Sequence, residues 1–171
     1  MSTKTASVVE RGQWHIDVSR STIAFRIRHL GVATVRGHFQ SFAGRLEADD
    51  GALRVEGHVD AASVDTGHEL RDARLRAEFF DAERHPAISM LGAITEDGRR
   101  LIGGLTIRGV TRPIELTLTV DVDQDETVRL RADGSIRRAA FGLEWDALRQ
   151  AGRLLVADEV RLHADVILVR S

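Results

Sequence analysis

Apolar and polar residues alternate with a period of two along most of this chain. The clearest run extends from Ile114 to Val122, where Leu116, Leu118 and Val120 share one parity and polar residues occupy the other. A strand with one buried face and one wet face has this period. The pattern predicts regular strands over 23–28, 53–59, 114–122 and 160–168, and less regular ones over 87–95, 100–108 and 127–137.

Segment 34–48 is long and changes its parity near Gln40 and Ser41. A one-residue shift of this kind predicts a β-bulge or a bend, which lets a strand curl around a barrel. Asp50-Gly51 and Asp97-Gly98 separate neighbouring segments and suit tight hairpins. About eight strand-like segments result, enough to close a barrel around one small ligand.

One helix interrupts the strands. Thr66 and Glu69 have the spacing of a capping box, in which the Thr hydroxyl caps a backbone N–H and the Glu reaches back. The residues from Glu69 to Ala77 are good helix formers, and Leu70, Ala73 and Ala77 make one narrow apolar stripe while Leu75 faces elsewhere. We expect this helix to lie over an end or a side of the barrel, and a second short helix or loop over 145–153.

Very small residues occur on faces whose other members are Leu, Ile or Val. They are Gly57, Gly92, Gly103, Ala132, Gly134 and Ala164. A solid core would need volume at these positions, because voids lower stability. The set therefore favours an apolar lumen, while any single glycine could instead mark a bend of the sheet.

An apolar lumen suits a chain-like ligand. Burial stabilises by about 0.8 kcal/mol per CH₂ group, so a five-carbon isoprene unit contributes roughly 3–4 kcal/mol before ordering costs. Two or three buried units would reach micromolar affinity. We expect the following residues to contact such a ligand: Phe25, Ile27, Val35, Phe39, Phe42, Leu46, Leu75, Phe79, Phe80, Met90, Leu105, Ile107, Leu116, Leu118, Ile136, Phe141, Leu162 and Val166.

Composition narrows the class of protein. The 171 residues fit one domain, predicted over 13–171 after a disordered tail over 1–12, and 43% are hydrophobic and 29% charged. A net charge of −2 predicts no electrostatic footprint for nucleic acid and no basic face for an anionic membrane. The chain has no cysteine, no run typical of a signal peptide and no stretch of about 20 apolar residues, so we expect a cytoplasmic protein without an integral membrane segment.

Candidates for catalysis and metal binding are sparse. Asp65-Thr66-Gly67 matches the aspartic-protease triplet, but that chemistry needs two carboxylates that share a proton and the chain has one copy. The seven histidines lack the paired spacing of metal ligands, although a barrel could gather His29, His38 and His68 at one mouth. We expect no catalytic residue, no metal and no cofactor apart from a bound lipid.

Three groups of residues have open alternatives. Arg71-Asp72 could bind an anionic head group or form an ion pair that braces the helix, and His29 and His38 are further head-group candidates. The phenylalanines could touch the ligand, form wall or plug an end. Trp14 and Trp145 could close an end of the barrel, since an indole buries a large area with one N–H to satisfy.

The chain resembles the YceI-like, polyisoprenoid-binding family over 14–169. Motifs similar to that family follow in order: Trp14 to Phe25, His29 to Phe39, Phe42-Ala-Gly44, Ala62 to Gly67 with Arg71-Asp72 and Leu75, Phe79-Phe80-Asp81 with His85-Pro86, Gly104 to Pro113, and Arg138-x-x-Phe141-Gly142. Seven motifs in order are more specific than any one of them.

The resemblance implies a lipocalin-like, extended antiparallel barrel that holds an isoprenoid or other lipid tail, and often a homodimer. Many members are periplasmic, and this chain departs from them in its N-terminus. We therefore expect a binding protein that sequesters or transports a polyisoprenoid, an isoprenoid quinone or a related lipid. The alternatives are a structural or stress-response dimer whose barrel is filled by side chains, and an enzyme that acts on a lipid.

Overall fold

The computed structural model describes residues 9–29, 33–123, 126–143 and 156–171. It consists mostly of strands, with one short helix, α1, at Glu69–Arg74 that continues into a π-helical turn at Leu75–Phe79. The strands are β1 Gly12–Ile16, β2 Thr22–His29, β3 Ala33–Phe39, β4 Phe42–Asp49, β5 Ala52–Asp60, β6 Val64–Asp65, β7 Ala87–Ile94, β8 Arg100–Ile107, β9 Val110–Val122, β10 Val128–Arg137 and β11 Val156–Arg170.

Eight of these strands close into an antiparallel barrel in the order β1-β4-β5-β7-β8-β9-β10-β11. Closure occurs because β11 pairs with β10 along its length and with β1 near its end, where Trp14 lies opposite Arg170. The N-terminal part of β11 pairs instead with β2, so the β2–β3 hairpin and β6 extend the sheet beyond the closed barrel. The predicted all-β, eight-stranded, extended lipocalin-like barrel is confirmed.

The turns and the bend lie where the sequence predicts them. β3 ends at Phe39 and β4 begins at Phe42, and between them the Gln40 N–H donates to the Ser63 carbonyl at 3.1 Å. Asp50 and Gly51 join β4 to β5 with φ of 46° and 83°. The left-handed conformation of both residues is that of a type I′ hairpin turn, whose twist matches that of the strands.

Trp14 is buried where β1 pairs with β4 and β11. Its indole is 2% exposed, and its Nε1 donates to the Glu10 carbonyl at 3.2 Å. The Arg170 guanidinium lies 5.6 Å from the ring centroid, a cation–π distance. Trp145 and the predicted element over 145–153 lie outside the described residues.

The start of the described chain contacts Trp14 and Arg170. Val9 is buried, Glu10 pairs with Arg170 at 2.6 Å, and β1 begins at Gly12. The structure thus places residues 9–12 against the barrel, within the range predicted as a tail. For residues 1–8 the tail stays a prediction.

Two expectations for α1 are wrong. Its N-cap is His68, whose Nδ1 accepts from the Arg71 N–H at 3.2 Å, because the Thr66 hydroxyl donates to Asp72 instead. The stripe of Leu70, Ala73 and Ala77 is exposed, with Leu70 at 73%. Asp72 and the residue that was expected to face elsewhere, Leu75, are buried. Among the described residues no helix has the length and apolarity to cross a membrane.

Candidate functional site: an apolar cavity inside the barrel

A cavity of about 580 Å³ lies inside the barrel and is lined by residues of the barrel strands, of β2 and β3, and of the helix. This volume is within the usual range for small-molecule sites. Its wall consists mainly of the inward-facing positions of the strands, which alternate with exposed polar positions such as Glu115 and Thr117 on β9. The period-two pattern of the sequence therefore produces a lumen that is almost wholly apolar.

Most residues predicted to contact a ligand lie in this wall. They are Phe25, Ile27, Val35, Phe39, Leu46, Leu75, Phe79, Phe80, Met90, Leu105, Ile107, Leu116, Leu118, Ile136, Leu162 and Val166. Phe42 and Phe141 are buried but do not line the cavity. Phe42 packs where β4 begins, opposite Val59, and Phe141 belongs to the 3₁₀ turn that follows β10.

Four phenylalanines join the hairpin to the helix. The ring centroids of Phe25 and Phe39 are 5.6 Å apart, those of Phe39 and Phe80 are 5.9 Å apart, and Phe79 meets Phe80 edge to face at 5.1 Å. Tilted and edge-to-face arrangements at these distances are favourable. The cluster connects β2, β3 and the π-helical turn, so it makes one side of the wall continuous.

The small residues divide into two groups. Gly57, Ala132 and Ala164 line the cavity, and a Cβ added at Gly57 would meet only the Ala43 carbonyl at 3.7 Å. These three positions leave space for a ligand.

Gly92, Gly103 and Gly134 do not line the cavity. A Cβ at Gly103 would lie 2.1 Å from the Leu91 carbonyl oxygen, and one at Gly134 would lie 2.4 Å from a Leu116 methyl group. These glycines permit close approach of neighbouring strands, which is the alternative that the sequence left open.

The polar rim of the cavity is formed by α1. His68, Leu70, Arg71 and Arg74 all line it. The Arg71 guanidinium donates to the Thr66 hydroxyl at 2.7 Å and to the Thr66 carbonyl at 2.9 Å, while Asp72 accepts from the Thr66 N–H at 3.0 Å. Arg71 and Asp72 therefore hold Thr66 from two sides and form no ion pair with each other. Within the described ranges no carboxylate pairs with Arg71, so its guanidinium keeps donor capacity toward the cavity.

Of the other head-group candidates, His38 does not line the cavity. His38 is exposed on the outer face of β3, with Nε2 3.9 Å from Asp65 Oδ2. His29 ends β2, and its side chain lies outside the described part of the chain. Asp65 accepts from the Gly67 N–H at 2.8 Å and from Gln40 at 3.0 Å, so it caps a turn. Over the described residues no group of three or more His, Cys, Asp or Glu side chains is arranged to hold a metal ion.

A buried arginine holds the wall near the β10–β11 connection. Arg138 donates from Nε to the Ala157 carbonyl at 2.8 Å and from Nη1 to the carbonyl of Leu143, a cavity residue, at 2.9 Å. Burial lowers the pKa of Arg138, and the nearby Asp158 carboxylate opposes that shift. Its pKa starts so far above neutrality that the side chain stays charged and fixes these two carbonyls.

Sequence reasoning missed further wall residues. Several share the inward parity of residues already predicted, and that signal could have found them: Ile23, Val55, Ile88, Leu101, Ile114, Leu130 and Val160. No strand pattern could have found His68, Leu70 and Arg74, which lie on the helix. Exposed polar residues on neighbouring outward positions also border the cavity, among them Arg45, Glu56, His58 and His163.

Residues 14–168 match the sequence profile of the YceI-like domain. The chain belongs to the YceI-like family. Among curated relatives of this YceI-like chain, a UPF0312 protein of Pectobacterium carotovorum is 32% identical over 136 residues, covering 72% of this chain and 71% of that one. Protein YceI of Escherichia coli O157:H7 is 31% identical with the same coverage.

Solved structures share the fold of this YceI-like chain. BcnA of Burkholderia cenocepacia has a TM-score of 0.78 at 21% identity and covers 89% of this chain and 98% of its own. A polyisoprenoid binding domain from Saccharophagus degradans also has a TM-score of 0.78, at 16% identity, with 92% and 98% covered. At these identities the comparison establishes the fold alone.

Proposed function

We propose that this protein binds one long apolar chain, an isoprenoid or related lipid, inside its barrel and carries or sequesters it. The observation that supports the proposal is the 580 Å³ cavity with an apolar wall and with charged residues of α1 at its rim. Each CH₂ group buried in such a site adds to the binding free energy, and a polar head group of the ligand would lie near Arg71. The polyisoprenoid binding domain of Saccharophagus degradans, which has the same fold, also supports this choice of ligand.

Native mass spectrometry of freshly purified protein, followed by organic extraction, tests the proposal first. We expect a stoichiometric adduct whose extracted lipid fragments at isoprene spacing. A clean apo mass that stays unchanged after incubation with polyprenols, quinones and fatty acids would contradict the proposal.

A chain-length series sharpens the test. Geraniol, farnesol and geranylgeraniol share a head group and differ by one isoprene unit each. Since a buried unit contributes roughly 3–4 kcal/mol before ordering costs, we expect affinity to rise at least about tenfold per unit until the cavity is full. Affinities that do not depend on length would exclude the lumen as the site.

The proposal assigns binding without catalysis. An enzyme acting on the lipid would need a nucleophile or an acid–base pair beside the reacting bond. The inward positions that line the cavity are aliphatic or aromatic, and the polar lining residues lie at the rim or on outward positions. Incubation of the loaded protein with time-resolved mass analysis of the lipid tests this point, and a new lipid mass would overturn it.

The alternative function is that of a structural or stress-response dimer whose barrel is filled by side chains. A filled barrel would leave no cavity, whereas the described barrel contains one.

The homodimer itself stays a prediction. Leu91 is 64% exposed, and it is a diagonal neighbour of the exposed Ile102 on the outer face of β7 and β8, a surface that a second copy could cover. Light scattering over a concentration series tests dimerisation.

The cytoplasmic location also stays a prediction. Cell fractionation with an antibody to the protein tests it.

A further inference from the structure

The outer face of the β2–β3 hairpin is rich in arginine, although the net charge of the chain predicts no basic face for an anionic membrane. The sequence from Thr22 to Phe39 contains no Asp or Glu, and Arg26, Arg28, Arg36 and His38 are exposed on that face. In the strand register Arg26 lies directly opposite Arg36. On its other side Arg26 lies opposite Arg161 of β11, so three arginines form one row across three strands. We call Arg26, Arg28, Arg36 and Arg161 the arginine row face.

The rest of the barrel surface follows a different rule. Several of its arginines pair with carboxylates on a neighbouring strand, as in Arg45–Glu56 at 2.6 Å, Arg129–Asp165 at 2.6 Å, Arg131–Asp121 at 3.0 Å and Arg100–Glu115 at 3.1 Å. Across the described ranges no carboxylate pairs with Arg26, Arg28 or Arg36, and Arg161 pairs with Glu159 at 3.1 Å. Like charges directly opposite one another destabilise a strand pair. An external anion that neutralises the row would remove this cost.

The same hairpin forms the wall of the cavity on its inner side. Phe25, Ile27 and Val35 alternate with these arginines and line the lumen. Only one layer of backbone therefore separates the apolar cavity from the arginine row face. The rim helix carries Leu70, which also lines the cavity and is the most exposed large apolar side chain of the described chain at 73%.

We propose that the arginine row face docks on the surface of an anionic phospholipid bilayer, and that the cavity loads and unloads its ligand there. Long apolar chains reside in bilayers because their exposure to water is unfavourable. Arginine binds phosphate oxygens with a planar pair of N–H donors, and clustered basic residues bind anionic leaflets electrostatically. The loading step rests on the proposed function, whereas docking is a property of the surface alone.

Vesicle flotation of ligand-stripped protein tests the docking step. The vesicles are POPC alone and POPC with POPG at equal molar amounts, each at 20 mM and 500 mM NaCl. We expect binding only to the POPG vesicles and a loss of at least about tenfold at high salt, because salt screens exposed charges. Equal binding to POPC, or binding that salt does not change, would overturn the proposal.

A charge-matched pair of variants locates the surface. Arg26→Glu with Arg36→Glu should weaken binding to POPG vesicles at least about 25-fold, since each arginine near an anionic leaflet contributes about fivefold. Arg54→Glu with Arg100→Glu changes the net charge equally on paired arginines outside the row and should keep wild-type binding. Arg26→Gln with Arg36→Gln gives the same readout if the Glu variant does not fold. An equal loss in the Arg54 and Arg100 variant would overturn the assignment.

Three further outcomes distinguish failure of the docking proposal from failure of the proposed ligand. If a 20-base-pair DNA duplex binds with the same arginine dependence while POPG vesicles do not bind, the face is not a membrane surface and the proposal is overturned. Wild-type protein that binds POPG vesicles but retains no isoprenoid in native mass spectrometry would contradict the proposed ligand and support docking. Wild-type protein that retains isoprenoid but does not bind POPG vesicles would support the proposed ligand and contradict docking.

Discussion

Asp72 accepts hydrogen bonds from both the backbone N–H and the hydroxyl of Thr66, although its carboxylate is only 7% exposed. Arg71 binds the same threonine from the other side through its hydroxyl and carbonyl. Thr66 precedes α1 by three residues, so these bonds fix the angle at which the helix leaves β6. The position of the polar cavity rim thus depends on one buried carboxylate.

The variant Asp72→Ala should destabilise the protein by about 1–3 kcal/mol, because it leaves the Thr66 N–H and hydroxyl without their acceptor in a buried place. Asp72→Asn keeps one carbonyl oxygen as an acceptor and should lose less. Denaturant unfolding measures both. Glu83→Ala, an exposed site nearby, should change the unfolding free energy by less than about 0.5 kcal/mol. An Asp72→Ala effect as small as that of Glu83→Ala would show that the rim does not depend on this carboxylate.

The contrast between strands and helix shows what sequence alone could predict. Leu116, Leu118 and Ile27 lie in the cavity wall because side-chain direction in a strand has a strict period of two. The bend near Gln40 was visible for the same reason, as a change of parity. These features are local, so the sequence contains them.

The helix was less predictable because tertiary contacts decide its orientation. Thr66 looks like an N-cap, yet Asp72 six residues later takes its hydroxyl, and His68, a less usual cap, replaces it. Leu70 looks like a core residue in a periodic stripe and is exposed, whereas Leu75 is buried and lines the cavity. Whether Gly57 opens a cavity or marks a bend likewise depends on the strand beside it, which no local pattern reveals.

Filling the lumen at Gly57 should abolish ligand binding without unfolding the protein. A side chain there has inward parity, its backbone is not in the left-handed region, and its Cβ would meet only an ordinary contact at 3.7 Å. We expect Gly57→Phe to lower isoprenoid affinity at least about tenfold and the unfolding free energy by less than about 1 kcal/mol. Fluorescence titration and thermal melting measure the two. Ala93→Phe, on the exposed outer face of β7, is the matched control and should bind as wild type.

Two adjacent glycines of β8 should respond oppositely to the same substitution. Gly103→Ala places a methyl group 2.1 Å from the Leu91 carbonyl oxygen, so β7 and β8 must separate. We expect a loss of about 1–3 kcal/mol in denaturant unfolding. Gly104→Ala meets only a Thr111 methyl group at 3.4 Å and should stabilise by about 0.4–1 kcal/mol, since it lowers the entropy of the unfolded chain. Equal effects at both positions would contradict the close approach of these strands.

The Arg129–Asp165 pair should make part of the stability depend on pH. Arg129 donates two hydrogen bonds to Asp165, at 2.8 Å and 2.6 Å, and these bonds lower the pKa of the carboxyl below its ordinary value of 3.8. A depressed folded pKa stabilises the protein above the unfolded pKa, and this stabilisation is lost as the pH falls through the folded pKa. Asp165→Asn should therefore be less stable than wild type at pH 7, by a small amount because the pair is partly exposed. The difference in stability should shrink below about pH 3.8 and vanish in stronger acid.

A second variant, Arg129→Gln, removes the same hydrogen bonds and should show the same pH dependence in thermal melts. If the loss of stability stayed constant from pH 7 to pH 2, packing rather than charge would explain the effect.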